Sequence, residues 1–171
     1  MQGYSLNFVK VNITELIEDI KLQFQDAAES KKISFETLLP PSHFFAYVDT
    51  EALYKIMSNL VDNAIKYGKS ELKIVLSINP DKDQFSIRIF SDGPKIAPEI
   101  RNKIFEPFFR ARETEMQRGT GIGLSISRSL AELHQGSLCL EISGPEGNIF
   151  VVILPIHQTM EFNLDGKWKK R

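Results

Sequence analysis

A single cysteine in 171 residues removes two chemistries at once. Cys139 has no mate for an internal disulfide and no companions for a multi-cysteine zinc site. Its surroundings, Ser137-Leu138-Cys139-Leu140, read as an apolar strand, so a buried structural thiol is expected rather than a reactive one. An excess of one charge is lacking too. A net charge of -1 gives no overall field to gather nucleic acid or an anionic membrane, so no nucleic-acid partner is expected. No apolar run reaches the length of a membrane span, and no signal peptide opens the chain, so a cytoplasmic location is expected. Internal repeats and low-complexity tracts are also absent. What is present, 42% hydrophobic and 25% charged residues, has the proportions of a soluble globular domain long enough for a proper core. Met1-Gln2-Gly3-Tyr4 does not resemble a natural domain start, so the chain is read as one piece of a larger protein.

Hydrophobic periodicity divides the chain. Phe8 to Val11 reads as a short strand. Asn12 or Thr14 caps a helix to about Ser30, with Ile13, Leu16, Ile17, Ile20, Leu22 and Phe24 as its apolar positions. Lys32 to Leu39 alternates as a strand stopped by Pro40-Pro41, and Phe45 to Val48 is a second extended piece. Asp49 or Thr50 caps a helix from about Glu51 to Tyr67, ended by Gly68. Strands near Leu72 to Ile78 and Phe85 to Phe90 flank a turn at Asn79-Pro80-Asp81-Lys82-Asp83. Ser91 to Gly119 carries few period signals, and a stretch that long is usually a lid or a disordered loop. A helix from about Gly121 to His134 follows, and Leu138 to Ile142 with Ile149 to Leu154 form a closing hairpin. Residues 158–171 read as a polar, basic tail or linker appended to a domain of residues 1–157. The fold class predicted is α/β, a two-layer sandwich with a mixed, mostly antiparallel sheet and helices on one face.

Arg118-Gly119-Thr120-Gly121-Ile122-Gly123-Leu124 is the densest signal. Glycine lets backbone turn tightly and approach a bound group, and the first N–H groups of the following helix have no partner within it. Together with the helix dipole these make an anion site. The stretch is either a phosphate cradle or an ordinary helix start with incidental glycines. A second element stands upstream. Asn59, Asn63 and Lys66 fall at i, i+4 and i+7 and share one helix face. Such a face can be merely solvated, but exposed faces usually carry Glu, Lys and Arg, whereas paired Asn costs helix stability. The chemistry that suits it is a nucleoside triphosphate with Mg²⁺, a hard ion that commonly takes one or two protein oxygens beside phosphate oxygens. Asn63 would offer its amide oxygen to the metal, Lys66 a point charge to phosphate, and Asn59 a hydrogen bond to phosphate or a metal-bound water.

These residues resemble a known family. Asn59-Leu60-Val61-Asp62-Asn63-Ala64-Ile65-Lys66-Tyr67 is similar to the N box of two-component sensor histidine kinases, and Phe105-Glu106-Pro107-Phe108-Phe109-Arg110 to their F box. Arg118 to Leu124 resembles their second glycine box, and Ser91-Asp92-Gly93-Pro94-Lys95-Ile96 stands where the first belongs. The resemblance implies the Bergerat ATP-binding fold, with ATP and Mg²⁺ as cofactors. It implies Asn63 as metal ligand, Asn59, Asn63 and Lys66 as the catalytic set, and Tyr67 beside the nucleotide. Gly119, Thr120, Gly121, Gly123 and Leu124 would cradle phosphates. Phe105, Phe108 and Arg110 would belong to a mobile lid, with Arg118 at its far hinge. Ile96 would pack on adenine, and Ser91, Asp92 and Gly93 would form the base-binding turn.

The first glycine box departs from the family form, in which an Asp accepts from the adenine amino group. Ser91 falls at that position, Asp92 is shifted by one, and Lys95 replaces the second glycine. On a strand, a one-residue shift sends Asp92 to the opposite face. Exchanging a charge-assisted bond for the Ser91 hydroxyl costs ~1 kcal/mol, a several-fold weakening. Lys95 reaches phosphate or solvent. None of His43, His134 and His157 has the context of a phosphoacceptor, so the acceptor is expected on a separate dimerisation hairpin of the parent protein. The resemblance then implies a protein-histidine kinase catalytic domain, monomeric by itself, with a response-regulator receiver downstream, lying in the cytoplasm or in the cytosolic part of a membrane-bound sensor. Hydrolysing relatives carry a Glu base at the first N-box position; Asn59 cannot accept a proton at neutral pH. A degenerate nucleotide-binding signalling module, an ATP hydrolase of the same fold and a Ser/Thr-directed kinase stand as alternatives.

Overall fold

The computed structural model describes residues 5–110, 119–141, 147–158, 160–162 and 168–170. Helix α1 (Ile13–Ser30) starts where Asn12 Oδ1 accepts from the Glu15 N–H at 3.2 Å. It buries Ile13, Leu16, Ile17 and Ile20, while Leu22 is 75% exposed. Leu22 was expected on the apolar face, but two residues past Ile20 is 200° around the helix. Helix α2 (Thr50–Tyr67) is capped by Asp49, whose Oδ1 accepts from the Ala52 N–H at 2.9 Å. Its end is held from outside: Lys31 Nζ donates to the Ile65 and Lys66 carbonyls, each at 3.1 Å. Gly68 ends it in an extended conformation, not a left-handed one, and is needed for close approach, since a Cβ there would lie 2.5 Å from the Ala64 oxygen. Helix α3 (Gly123–Leu133) is shorter than the expected Gly121–His134.

The strands β1 (Val9–Asn12) and β3 (Phe45–Val48) pair antiparallel apart from the main sheet. The main sheet joins β2 (Ser34–Leu38), β4 (Glu71–Asn79), β5 (Gln84–Ser91), β6 (Ser137–Glu141) and β7 (Asn148–Pro155) in the order β2-β4-β5-β7-β6. Only β2 and β4 run parallel. One face is apolar by strict alternation: Leu72, Ile74 and Leu76 on β4 stand beside Phe85, Ile87 and Ile89 on β5, all buried with the apolar sides of α1 and α2. Burying such side chains at about 25 cal/mol per Å² of apolar surface holds the two layers together. Cys139 corrects the expectation of a buried thiol. Its neighbour Leu138 faces the helices, so Cys139 points from the other face of an edge strand and is exposed. The tail, read as a linker, contains a further pairing of β8 (Met160–Phe162) with β9 (Trp168–Lys170). The signal was in the sequence: Met160, Phe162 and Leu164 alternate with Glu161, Asn163 and Asp165, and the pair Asp165-Gly166 follows, a hairpin pattern that the reading of the tail as a polar linker passed over. Among the described residues no helix is long and apolar enough to cross a membrane.

Candidate functional site

A cavity of about 330 Å³ opens between the second half of α2, the ends of β5 and β7, and the turn before α3. Asn59, Asn63 and Lys66 line it from α2, as their one-turn spacing requires. Gly119, Thr120, Gly121, Gly123 and Leu124 line it from the glycine turn. Two close approaches join these halves. Asn59 Nδ2 donates to the Gly123 carbonyl at 3.2 Å and to Ser127 Oγ at 3.0 Å. Lys66 Nζ reaches so near Gly119 that a Cβ there would stand 2.8 Å from it. Asn59 therefore has a structural task that the sequence did not signal: its amide nitrogen fastens α3 to α2.

Gly121 makes the turn. Its φ of +73° is the left-handed region, and a Cβ would lie 3.0 Å from the Phe109 oxygen and the Phe108 carbonyl carbon. The Gly121 carbonyl accepts from the Phe108 N–H at 2.9 Å, closing the base of the intervening segment. No side chain caps the N-terminus of α3, so its first N–H groups are left for another acceptor.

At the other end, Tyr67, Ser91 and Ile96 line the cavity. Asp92 does not. Its carboxylate accepts from the Lys69 and Ser70 N–H groups at 2.9 and 3.0 Å and from Ser70 Oγ at 2.6 Å, tying the start of β4 to the end of β5. Burial alone would push this carboxyl up, but those bonds from Ser70, Glu71 and Lys69 outweigh it and hold it well below the usual carboxylate range. The sign follows. A depressed folded value means that Asp92 contributes stability above its ordinary value of 3.8, and that the contribution is lost as pH falls below it. Asp92→Asn is expected to destabilise the chain at pH 7 and to flatten its loss of melting temperature between about pH 5 and pH 2, read by circular dichroism.

Gly93 also stands behind the cavity wall. Its Cβ would meet the Tyr67 oxygen at 2.5 Å, so it lets the chain cross the end of α2 rather than touching a ligand. Phe108 is 75% exposed with φ +64° and does not line the cavity; its neighbour Phe109 does. The left-handed residue turns the chain so that Phe109 takes the inward place. Phe105, expected in a mobile lid, is buried, edge-on to Phe150 at 6.2 Å with Arg128 over its ring at 4.8 Å. It anchors the segment. Lys95 is exposed and does not line the cavity. Arg118 lies outside the described residues.

The sequence reading missed Asn148 and Phe150 on β7, and Ile100 and Ile104 in short 3₁₀ turns, all of which line the cavity. Asn148 stands opposite Ser91 in the β5–β7 register. Its Oδ1 accepts from the Ile96 N–H at 2.9 Å and its Nδ2 donates to the Pro94 carbonyl at 2.7 Å, so it clamps the segment after β5. A polar residue at the start of the expected closing strand was the available signal. None of the histidines enters the cavity. His134 is fully buried, with Nδ1–H donating to the Leu130 carbonyl at 2.7 Å and Nε2 accepting from the Asp49 N–H at 3.1 Å, a neutral tautomer that links α3 to the cap of α2.

The donor set has a definite metal preference. Asp62 is the one carboxylate among the described lining residues, beside the neutral amides of Asn59 and Asn63. Among the described residues no cluster of three His, Cys, Asp or Glu could cage an ion. Such a set fits a hard ion that arrives with its own phosphate oxygens and waters, not a structural zinc or calcium.

Comparison with known proteins bears on this arrangement. A family model described as histidine kinase-, DNA gyrase B-, and HSP90-like ATPase matches residues 48–158. Sensor histidine kinase RppB of Synechocystis sp. is 29% identical over 146 residues, 84% of this chain and 32% of that protein. The chain spans between 11% and 41% of the length of the curated relatives it matches. The nucleotide-free catalytic domain of histidine kinase ThkA superposes with a TM-score of 0.79 at 26% identity, over 89% of this chain and 99% of that one. ThkA in complex with response regulator protein TrrA gives a TM-score of 0.74 at 26% identity, over 87% of this chain and 42% of that one.

Proposed function

Because the chain belongs to the histidine kinase-, DNA gyrase B- and HSP90-like ATPase family, as an ATP-binding catalytic domain of the sensor histidine kinase kind, we propose that it hands the γ-phosphoryl group of ATP to a histidine on a separate helical hairpin. The observation that supports this is the junction of the α2 polar face with the glycine turn through Asn59 and Gly123. It sets neutral oxygen donors, an ammonium and orphan helix N–H groups around one cavity.

Each residue then has a task. The N–H groups at the start of α3 and the Lys66 ammonium hold the phosphate oxygens and balance their charge. Asn63 would hold Mg²⁺, with Asn59 beside it for a phosphate or a metal-bound water, and the ion would neutralise charge on the triphosphate. Ser91 takes the base edge, with Tyr67, Ile96 and Phe150 against the ring faces and the ribose. Phosphoryl transfer needs mainly positioning and charge stabilisation, which these groups supply. Asn59 cannot act as a base on water, which disfavours hydrolysis and leaves the nucleophile to the acceptor. None of the three histidines lines the cavity, and His134 is held on both ring nitrogens inside the core, which supports an acceptor from outside the chain. The proposed partners are therefore that hairpin and, downstream, a response-regulator receiver, both met in the cytoplasm. Residues 1–157 are proposed as the catalytic unit, monomeric by itself, with 158–171 appended.

The chain, given radiolabelled ATP, Mg²⁺ and the hairpin of its parent protein, is expected to label that hairpin with acid-labile, base-stable phosphate. Acid-stable label would redirect the reading to Ser or Thr, and steady phosphate release by the chain alone would make it a hydrolase.

A further inference from the structure

We propose that the base end of this cavity takes purine nucleotides with either an amino or a keto group at position 6. The inference rests on the nucleotide-binding reading above and deepens it. Ser91 is 9% exposed and lines the cavity, and its hydroxyl donates to the Ala64 carbonyl at 3.3 Å. That carbonyl already accepts from the Gly68 N–H at 2.9 Å. The hydroxyl bond is thus the longer of two, and giving it up orphans no buried group.

Two states of Ser91 follow. With its proton on Ala64, the oxygen accepts from an exocyclic amino group. Rotated, it donates to a keto oxygen. A carboxylate in its place could only accept, and would repel a keto group. The other polar groups nearby add no preference. The Asn148 amide bonds Pro94 and Ile96 once at each end and keeps one N–H and one lone pair, a donor and an acceptor that can meet either base, and the Asp92 carboxylate is turned away onto Lys69 and Ser70. Ile96, Ile100 and Phe150 around them are apolar and do not distinguish the two bases. A site rejects an analogue strongly only when its own polar groups would be left unpaired, and here none would be.

The test is titration calorimetry of the 171-residue chain with ATP and with inosine triphosphate, both with Mg²⁺; these differ in the group at position 6 and in the N1 proton that accompanies the keto form. The two dissociation constants are expected to agree within about fivefold. Ser91→Ala should weaken both alike and leave their ratio unchanged. Ser91→Asp should tighten ATP and weaken inosine triphosphate, widening the ratio at least about tenfold. A wild-type preference for ATP above about thirtyfold overturns the proposal. So does a folded Ser91→Asp chain, by circular dichroism, with an unchanged ratio. If Ser91→Asp does not fold, the wild-type and Ser91→Ala ratios decide. Absence of binding by either nucleotide at millimolar concentration overturns the nucleotide reading itself, and this inference with it.

Discussion

Asn63→Ala is expected to keep the fold and lose phosphoryl transfer by about 10²- to 10³-fold. The two halves of this result have separate causes. Asn63 is a half-buried residue inside α2, a setting in which alanine is the better helix former by roughly 0.5 kcal/mol. The variant should therefore melt at the same temperature or slightly higher. What it lacks is the amide oxygen proposed to hold the metal beside the triphosphate. Removing a group that meets developing charge in a water-poor site costs much more than a surface hydrogen bond. Nucleotide affinity measured without Mg²⁺ should change little, while the increment that Mg²⁺ adds should disappear. Calorimetry with and without the ion, beside the transfer assay, reads both. A variant that melts much lower would make Asn63 a structural residue. A variant with full transfer would remove it from the proposed catalytic set.

The contrast between Asn63 and Asn59 shows where the sequence was legible. Both amides stood out because paired Asn on a helix face costs stability. Periodicity fixed the shared face and the glycines marked the turn, while their convergence was expected from the resemblance. The helices, the strands of the sheet and its two-layer class were readable from alternation and capping, with boundaries shifting by one or two residues. Asn59 reaching Gly123 and Ser127 was not readable, because a hydrogen bond between helices 64 and 68 residues apart in sequence depends on packing. Asp92 was ambiguous for a similar reason. Its displacement from the cavity followed from strand alternation, but its use as a tie onto Lys69 and Ser70 required the register of the β4–β5 hairpin, which sets Ser91 against Leu72 and so Asp92 beside the start of β4. The segment after β5 was least legible. Its short 3₁₀ turns have no long period, so the choice of Phe109 over Phe108 for the inward position rests on one left-handed backbone angle.

Gly136→Ala is expected to be the most destabilising of the glycine substitutions, at about 3 kcal/mol or more, a fall in melting temperature of roughly 6–12 °C. Gly136 is not there for backbone freedom; the left-handed angle at the end of α3 is taken by Gln135, at φ +61°. It is there because a Cβ would lie 2.1 Å from the Ile153 oxygen and 2.7 Å from Leu154 Cδ2. The first atom belongs to the backbone of β7, which is hydrogen-bonded on both sides to β5 and β6 and cannot yield. The junction of α3 and β6 must lift instead, and α3 carries the glycine turn at its other end, so nucleotide affinity should fall together with stability. Gly119→Ala makes the opposite case. Among the described residues, the one atom its Cβ would crowd is Lys66 Nζ at 2.8 Å, the far end of a flexible side chain. Its melting temperature should stay within about 2 °C of the parent chain, while affinity for Mg²⁺–ATP drops several-fold as the ammonium is pushed from the phosphate-facing place proposed for it. Thermal melts and nucleotide titrations on the two variants separate glycines that hold the layers together from glycines that face the ligand. Equal melting temperatures would mean that β7 does yield, and that the packing of α3 onto the sheet is looser than these distances require.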